Sequence, residues 1–267
     1  MSHFTCMVIG DNPEEQLRPY HEYECTGVMD QYVEFIPKEE SDEELEEDFS
    51  KYKDDYNSFE EFLQMEYGYE KVNGEWGRYT NPNCKWDWYR LGGRWNGFLL
   101  LKDGANANRA LKKDIDFKGM MEQSRKKAKN DYCIIKNACG GEIPKIETSW
   151  FEAIKIYESF EKARDFYYNQ ESIKTFKNAI KKLGKSYYFN TLEEFQCTEE
   201  VYGQMAADRA VSTFAVVKDG KWYEKGDKGW FGVSINEMDQ MEWDKKIAWL
   251  LSEIPDDTLI SIYDCHI

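Results

Sequence analysis

The sequence predicts an α+β fold: a mostly antiparallel sheet that contains both terminal strands, with helices packed on one face and with helical insertions. Residues 3–9 form a short β-branched and apolar run that ends at a Gly-Asp pair, which indicates a buried strand. Residues 258–265 close the chain with a second run of this kind. Residues 213–224 carry the pattern of a tight hairpin, and residues 241–253 that of an amphipathic helix. We therefore expect the N-terminal strand to pair within the sheet that the strands of the C-terminal third form.

Two helical segments interrupt this core. Ser41 and Ser58 each begin a capping pattern ahead of an apolar stripe, and residues 150–183 show helical periodicity. We predict three parts: a core domain of residues 1–36, 71–149 and 201–267, an acidic helical insertion of residues 37–70, and a second helical insertion of residues 150–200.

The net charge of −16 is concentrated in the first insertion. Between Lys38 and Glu70 the chain has 14 Asp or Glu residues and 3 Lys residues, which gives a local net charge of −11. Such a surface repels a phosphate backbone, so we expect no direct binding of nucleic acid. The segment 39–66 is then either a solvated helical face or a surface that resembles nucleic acid to a basic host protein.

The chain shows no sequence feature of a secreted or membrane protein. Residues 1–6 lack a basic stretch followed by a long apolar run, and no stretch approaches 18 consecutive apolar residues. The 7 cysteines are odd in number and scattered, which is typical of reduced thiols. We therefore expect a cytoplasmic protein that does not contact a membrane.

Residues that could carry chemistry lie near both ends of the chain. His21 and Cys25 follow the first strand, and Asp264, Cys265 and His266 close the last one. Zinc and iron use these ligand types, so His21, Cys25 and His266 form a candidate zinc site. The spacing matches no zinc-finger class, and Cys265 and His266 would point to opposite faces of a strand. The alternative is that Cys265 packs in the core.

Histidine chemistry is a second interpretation of the same residues. The chain has 3 His residues, and His21 and His266 could act as general acid and base beside Asp264. The sequence contains no HExxH motif and no nucleophile elbow. If the terminal strands are neighbours, His3 joins these groups at one edge of the fold.

A third candidate is the aromatic and basic segment 84–102, which we predict to be a hairpin with its turn at Gly92-Gly93. Trp rings stack on purines and guanidinium groups fork to phosphate oxygens, so this segment suits a nucleotide-like ligand. The alternative is that the rings fill the core and each Arg pairs with a carboxylate. The candidate contact residues are Trp86, Trp88, Arg90, Arg94 and Trp95, with Trp222 and Trp230 nearby.

Several of these segments match the pattern of one protein family. They are SHFTxxVIGDNPEEQL at residues 2–17, HEYECTG at 21–27, WDWYRLGGRW at 86–95, KDIDF at 113–117, KWYE at 221–224 and DCHI at 264–267. In these segments the chain resembles an uncharacterised protein family of tailed-phage and bacterial genomes. The resemblance implies a phage-type accessory protein that acts on host processes in the bacterial cytoplasm. Small proteins of that kind often bind host enzymes or sequester nucleotide signals.

Three hypotheses of function follow. The first is a phage-type accessory protein, with a role in counter-defence, that binds a host defence protein or a nucleotide-like ligand through the Trp/Arg segment. The second is a metal- or histidine-dependent hydrolase or transferase that acts on a nucleotide-like substrate through His21, Asp264 and His266. The third is an acidic, nucleic-acid-mimicking interaction module that acts through residues 39–66.

Overall fold

The main sheet has both ends of the chain at its centre. The structure is a computed structural model that describes residues 3–157, 159–187, 191–228 and 234–267. Strand β1 (His3–Ile9) pairs antiparallel with β13 (Leu259–His266) along its whole length. On its other side β1 pairs in parallel with β9 (Ala215–Lys218). The prediction of an α+β fold with both terminal strands in one sheet is confirmed.

The remaining strands of this sheet all pair antiparallel. The predicted hairpin is formed by β9 and β10 (Lys221–Glu224), and its turn residues Asp219 and Gly220 have φ angles of 54° and 72°. Positive φ at both positions gives a turn whose twist matches that of the two strands. The other side of β13 is shared by β5 (Trp88–Leu91) and β8 (Arg109–Leu111), which pair with different halves of it. The sheet order is β10-β9-β1-β13-β5, so the sheet is mixed but mostly antiparallel.

The alternation of side chains along β1 and β13 separates two cores. On one face helix α10 (Gln240–Ser252) covers the sheet, and the buried residues there include Met7, Ile9, Ile260, Ile262, Trp243, Ile247 and Leu250. The opposite face carries a second cluster that includes Phe4, Val8, Leu17, Trp86, Tyr263 and Cys265, and short helix α1 (Pro13–Leu17) lies against it. Pro13 occupies the start of α1, where its missing N–H needs no partner, while Asn12 has φ 49° and its side chain makes no capping hydrogen bond.

The acidic segment has its own small core. Its helices begin where the capping patterns place them: the side chain of Ser41 accepts a hydrogen bond from the Glu44 amide, and Ser58 accepts one from Glu61. Leu45, Phe62, Leu63 and Tyr69 pack together between these helices and a three-stranded sheet. The elements of residues 23–80, which include this segment, are α2 (Tyr23–Thr26), β2 (Glu34–Pro37), α3 (Asp42–Tyr52), α4 (Phe59–Glu66), β3 (Glu70–Val72) and β4 (Glu75–Thr80).

The second helical region begins earlier than the sequence pattern indicates. Tyr132 and Ile135, on helix α5 (Phe117–Ala138), pack in one cluster with Ile173 and Phe176, so α5 contributes to the core predicted for residues 150–200. The helices are α5 (Phe117–Ala138), α6 (Trp150–Ile156), α7 (Phe160–Asn169), α8 (Glu171–Lys182) and α9 (Glu199–Asp208). Within the described ranges no helix combines the length and the apolar character that crossing a membrane requires.

The predicted hairpin at 84–102 is wrong. Residues 88–91 form β5, which pairs with β13, while a 3₁₀ helix (Gly93–Trp95) follows instead of a hairpin turn. The returning segment contains β6 (Leu99–Leu100), and its partner is β7 (Asn106–Ala107). The Gly pair, with φ angles of 72° and 47°, turns the chain across the sheet rather than back along β5.

Trp230, one of the candidate contact residues, lies outside the described residues. Strand β12 (Ser234–Ile235) pairs antiparallel with β11 (Asp227–Lys228).

Candidate functional site

Two histidines meet where the terminal strands pair. The register places His3 opposite His266 and Thr5 opposite Asp264, so these four side chains lie on one face of the sheet. This is the face that α10 covers further along, over Met7 and its neighbours. The two imidazole rings lie edge to face with their centroids 5.0 Å apart.

His3 is held by a buried carboxylate. Its Nδ1 lies 2.8 Å from Oδ1 of Asp264, a residue that is 2% exposed. The second oxygen of Asp264 accepts a hydrogen bond from the Arg94 backbone amide at 2.9 Å. Gly93 makes this approach possible, because a Cβ at that position would lie 2.3 Å from Cβ of Asp264. Both oxygens of the carboxylate therefore have donors, which offsets the cost of burying its charge.

His266 is held by a second carboxylate, that of Asp87. Its Nδ1 lies 2.8 and 2.7 Å from the two oxygens of Asp87. Asp87 is itself fixed by backbone hydrogen bonds, since its amide donates to the His266 carbonyl and its carboxylate accepts from the Trp88 amide. The ring of Trp88 stacks on the imidazole of His266, with centroids 5.1 Å apart and planes 14° apart.

This geometry fixes the proton positions of both rings. Each carboxylate accepts a hydrogen bond, so each Nδ1 carries a proton and each Nε2 is left with a free lone pair when the ring is neutral. In the described part of the chain neither Nε2 has a hydrogen-bond partner. Ser172 Oγ is the only fully buried side-chain N or O atom there that lacks one. Both imidazoles are largely buried, since the side chain of His3 is 13% exposed and that of His266 is 6% exposed. We call His3, Asp87, Asp264 and His266 the histidine pair site.

Aromatic and cationic side chains border the histidine pair site. Trp88 is opposite His266 and Arg90 is opposite Asp264 on β5, so both share the face of the histidines. Trp88 is 43% exposed, and Arg90 and Arg94 are exposed as well. Among the described residues neither guanidinium group has an ion-pair partner. The expectation that each Arg pairs with a carboxylate is therefore not met, and both charges are open to a ligand.

The other predicted contact residues lie elsewhere. Trp86 is 8% exposed and packs on the opposite face of the sheet, where its indole N–H donates to the Leu17 carbonyl at 3.0 Å. Trp95 packs against the core beneath α10. Trp222 is partly buried beside Phe4, and its indole N–H donates to Glu224 at 3.0 Å. Trp95 and Trp222 therefore serve packing, and Trp86 lies apart from the histidine pair site.

His21 is not part of the histidine pair site. It is 3% exposed and lies beside Trp86, on the opposite face of the sheet. Its Nδ1 lies 2.9 Å from Thr26 Oγ1, and its Nε2 lies 3.4 Å from Asp30 Oδ1. Both ring nitrogens thus have partners within the protein. Of the residues proposed as catalytic, the structure brings Asp264 and His266 together and places His21 apart.

The predicted zinc ligands do not converge as a set. Among the described residues, the group that could hold a metal consists of Glu22, Cys25 and Asp87, whose ligand atoms lie within 4.8 Å of one another. Burial and the neighbouring carboxylates raise the pKa of the Cys25 thiol to about 11. Thiolate and carboxylate ligands suit zinc, which would deprotonate the thiol on binding. His266 touches this group through Asp87, whereas His21 does not belong to it.

Cys265 behaves as the packing alternative predicts. It is fully buried on the face opposite to His266, next to Cys6, and burial raises the pKa of its thiol well above the usual value. Asp87 is the member of the site that sequence reasoning missed. In the sequence Asp87 is only a carboxylate next to an extended segment. Its contact with His266 depends on the pairing of that segment with the C-terminal strand, which is a tertiary feature.

Comparison of the chain with protein-family models, with curated proteins and with solved structures finds no match.

Proposed function

We propose that the protein is a histidine-dependent hydrolase or transferase that acts on a phosphate ester of a nucleotide-like substrate. The observation that carries the proposal is the pair of adjacent imidazoles, each oriented by a carboxylate at Nδ1 and each without a hydrogen-bond partner at Nε2 among the described residues. General acid–base catalysis needs one group that removes a proton and one that supplies it, both within reach of the same reacting centre. Two imidazoles side by side supply both, since an imidazole accepts a proton at a free ring nitrogen and donates one when it is protonated.

The reaction proceeds by in-line displacement at phosphorus. The neutral imidazole takes a proton from the attacking water or hydroxyl, and that oxygen forms a bond to phosphorus. The bond to the leaving oxygen breaks, and the protonated imidazole gives its proton to that oxygen. Asp87 and Asp264 stabilise whichever imidazole is charged, while solvent resets the two protonation states after each turnover.

Arg90, Arg94 and Trp88 support the choice of substrate class. Guanidinium groups bind phosphate oxygens by bidentate hydrogen bonds, and the exposed part of the Trp88 ring offers a surface on which a base can stack. The two cations lie in a protein whose net charge is −16, so they provide local attraction for an anion that the rest of the surface repels.

The first test measures hydrolysis of bis(p-nitrophenyl) phosphate and of a nucleoside 2′,3′-cyclic phosphate. We expect His3→Asn and His266→Asn each to lower kcat/KM by on the order of 100-fold or more, because removal of a general acid or base has effects of this size. The pH profile of the native protein should be bell-shaped. Melting temperatures identify any variant that fails to fold. Turnover that survives in the His3→Asn, His266→Asn double variant rules out the proposed chemistry.

Binding without turnover is a second candidate function, and the exposed Trp88, Arg90 and Arg94 favour it. In this case the protein is a phage-type accessory protein that sequesters a nucleotide-like ligand or engages a host defence protein. Calorimetry with AMP tests it: an Arg90→Ala, Arg94→Ala variant should bind at least about tenfold more weakly, since two charged hydrogen-bonding groups are lost. Arg209→Ala, which removes an exposed Arg near α9, is the matched control.

A further inference from the structure

A cavity lies on the face of the main sheet opposite to the histidine pair site. It has a volume of about 290 Å³ and is lined by α1, by the segment from His21 to Asp30 and by the start of β5. Ligand pockets in proteins begin at roughly 300 Å³, so this one suits a small molecule or a single side chain. His21, a buried titratable group outside the proposed chemistry, forms part of its wall.

Two aromatic rings give the cavity its apolar surface. Trp86 and Tyr89 both line it, and their rings are 82° apart with centroids at 4.7 Å. The indole N–H of Trp86 is already bonded to the Leu17 carbonyl, so the ring presents its π-system and no donor. In this arrangement the edge of one ring points at the face of the other, and the aromatic wall that the pair forms suits the apolar body of an organic cation.

The charges around the cavity are mostly negative. Glu14, Glu15 and Asp30 line it, against one cation, Arg18. Arg18 lies 3.3 Å from Asp30 and 3.9 Å from Glu15, and it is 53% exposed. Arg109 lies 2.7 Å from Glu14. The three carboxylates are thus balanced by only two guanidinium groups, and that of Arg109 lies outside the cavity wall.

The ionisation of Tyr89 agrees with this charge balance. Burial raises the pKa of its hydroxyl, and the negative charges of Glu14 and Glu15 raise it further. The negative charges of Glu14 and Glu15 thus act on the Tyr89 side of the cavity, where they oppose an anion and favour a cation.

We propose that this cavity binds a small organic cation, namely an alkylammonium, quaternary ammonium or guanidinium group with an apolar body. The apolar body contacts Trp86 and Tyr89, and the charge lies toward Glu15 and Asp30. The cation can belong to a free small molecule or to a Lys or Arg side chain of a partner protein, because both present the same group. The site is independent of the chemistry proposed for the other face of the sheet.

Titration of the full chain with choline, agmatine and an Arg-containing peptide, followed by NMR, tests the proposal. We expect at least one of the three to bind with a dissociation constant below about 1 mM, and the peptide arm separates the two sources. The neutral isostere of choline, 3,3-dimethyl-1-butanol, should bind at least about fivefold more weakly, because it lacks the cation–π attraction.

Two variants locate the binding. Glu15→Gln, at a side chain that is 72% exposed, should weaken binding about threefold without affecting folding. Tyr89→Leu should weaken it by about fivefold. Glu253→Gln makes the same charge change at the end of α10, on the other face of the sheet, and should have no effect. The proposal is overturned if none of the three cationic probes binds, if the neutral isostere binds equally well, or if Glu15→Gln behaves like Glu253→Gln.

Discussion

Each histidine of the pair depends on a carboxylate that does not itself touch the reacting atoms. Asp87 and Asp264 keep the proton of each imidazole on Nδ1, so that Nε2 is the nitrogen left to exchange a proton with a substrate. An Asn at either position presents an amide that can donate to Nδ1 as well as accept from it. The imidazole can then adopt the other tautomer, and an imidazolium loses its counter-charge.

Asp87→Asn and Asp264→Asn should therefore lower turnover of a phosphodiester by on the order of 100-fold, with the melting temperature nearly kept for Asp87→Asn. The matched control is Asp30→Asn, which removes the carboxylate that contacts His21 on the other face. Steady-state rates and ¹⁵N spectra of the imidazole nitrogens measure the effect. A fully active Asp87→Asn protein would show that the carboxylate does not position His266 for catalysis.

The residue scale also shows what the sequence could predict of the site. Asp264 and His266 are adjacent to the end of a predicted strand, and alternation alone separates His266 from Cys265. Asp87 is 179 residues away from the imidazole that it contacts. Nothing local distinguishes it from other carboxylates, because the contact depends on which strand lies beside β13. The same reason explains why His21 could not be excluded beforehand.

At the scale of elements, the 3₁₀ helix (Gly93–Trp95) is packed unusually close to β13. Gly93 has φ 47°, and a Cβ there would lie 2.4 Å from Oδ2 of Asp264. The close approach of this turn to the Asp264 carboxylate therefore requires a glycine at position 93.

Gly93→Ala should displace Asp264 and destabilise the protein by about 1–3 kcal/mol, because it combines backbone strain with a steric clash. Phosphodiesterase activity should fall with it, since His3 loses its partner. Gly220→Ala is the control: its φ of 72° carries similar backbone strain, but nothing lies within 4 Å of the new Cβ. Urea unfolding and initial rates separate the two effects. Equal losses of activity in both variants would contradict the role given to this close contact.

The helix starts at Ser41 and Ser58 were predicted correctly, and so was the hairpin at 213–224, whereas the strand partners within 84–102 were not. The capping box at Ser41 involves residues that are three positions apart, so its geometry follows from the sequence. The pattern at 84–102 contains two extended runs around a Gly pair, which also fits two strands that belong to different sheets. Alternation indicates that a segment is extended, but it does not identify the strand with which it pairs.

At the scale of the whole molecule, the pairing of the two ends organises both proposed sites. β1 and β13 were predicted to share a sheet because an N-terminal strand was left unpaired beside a C-terminal third rich in strand signals. That sheet has the histidine pair on one face and the cavity of Trp86 and Tyr89 on the other. Loss of the terminal strand would therefore disrupt both sites together.

The pH dependence of stability follows from carboxylates that are distributed over the molecule. Burial tends to raise the pKa of Asp30, but hydrogen bonds from the Tyr32 amide, His21 and Arg18 outweigh it, so the pKa is lowered. The Tyr263 hydroxyl chiefly lowers the pKa of Glu14, and the Tyr69 hydroxyl that of Glu40. Each group binds its proton more weakly in the folded chain than in the unfolded chain.

A lowered folded pKa contributes stability above the unfolded value, which is about 4 for carboxyl groups, and this contribution is lost as the pH falls through the folded value. We therefore expect Asp30→Asn to reduce the free energy of unfolding by about 1 kcal/mol at pH 6–7, because a charged hydrogen-bonding group near the surface is removed. The difference from the native protein should shrink below about pH 4 and vanish near pH 2, where both proteins lack the charge. Urea titrations at closely spaced pH values measure it. A difference that stays constant from pH 7 to pH 3 would show that ionised Asp30 does not stabilise the fold.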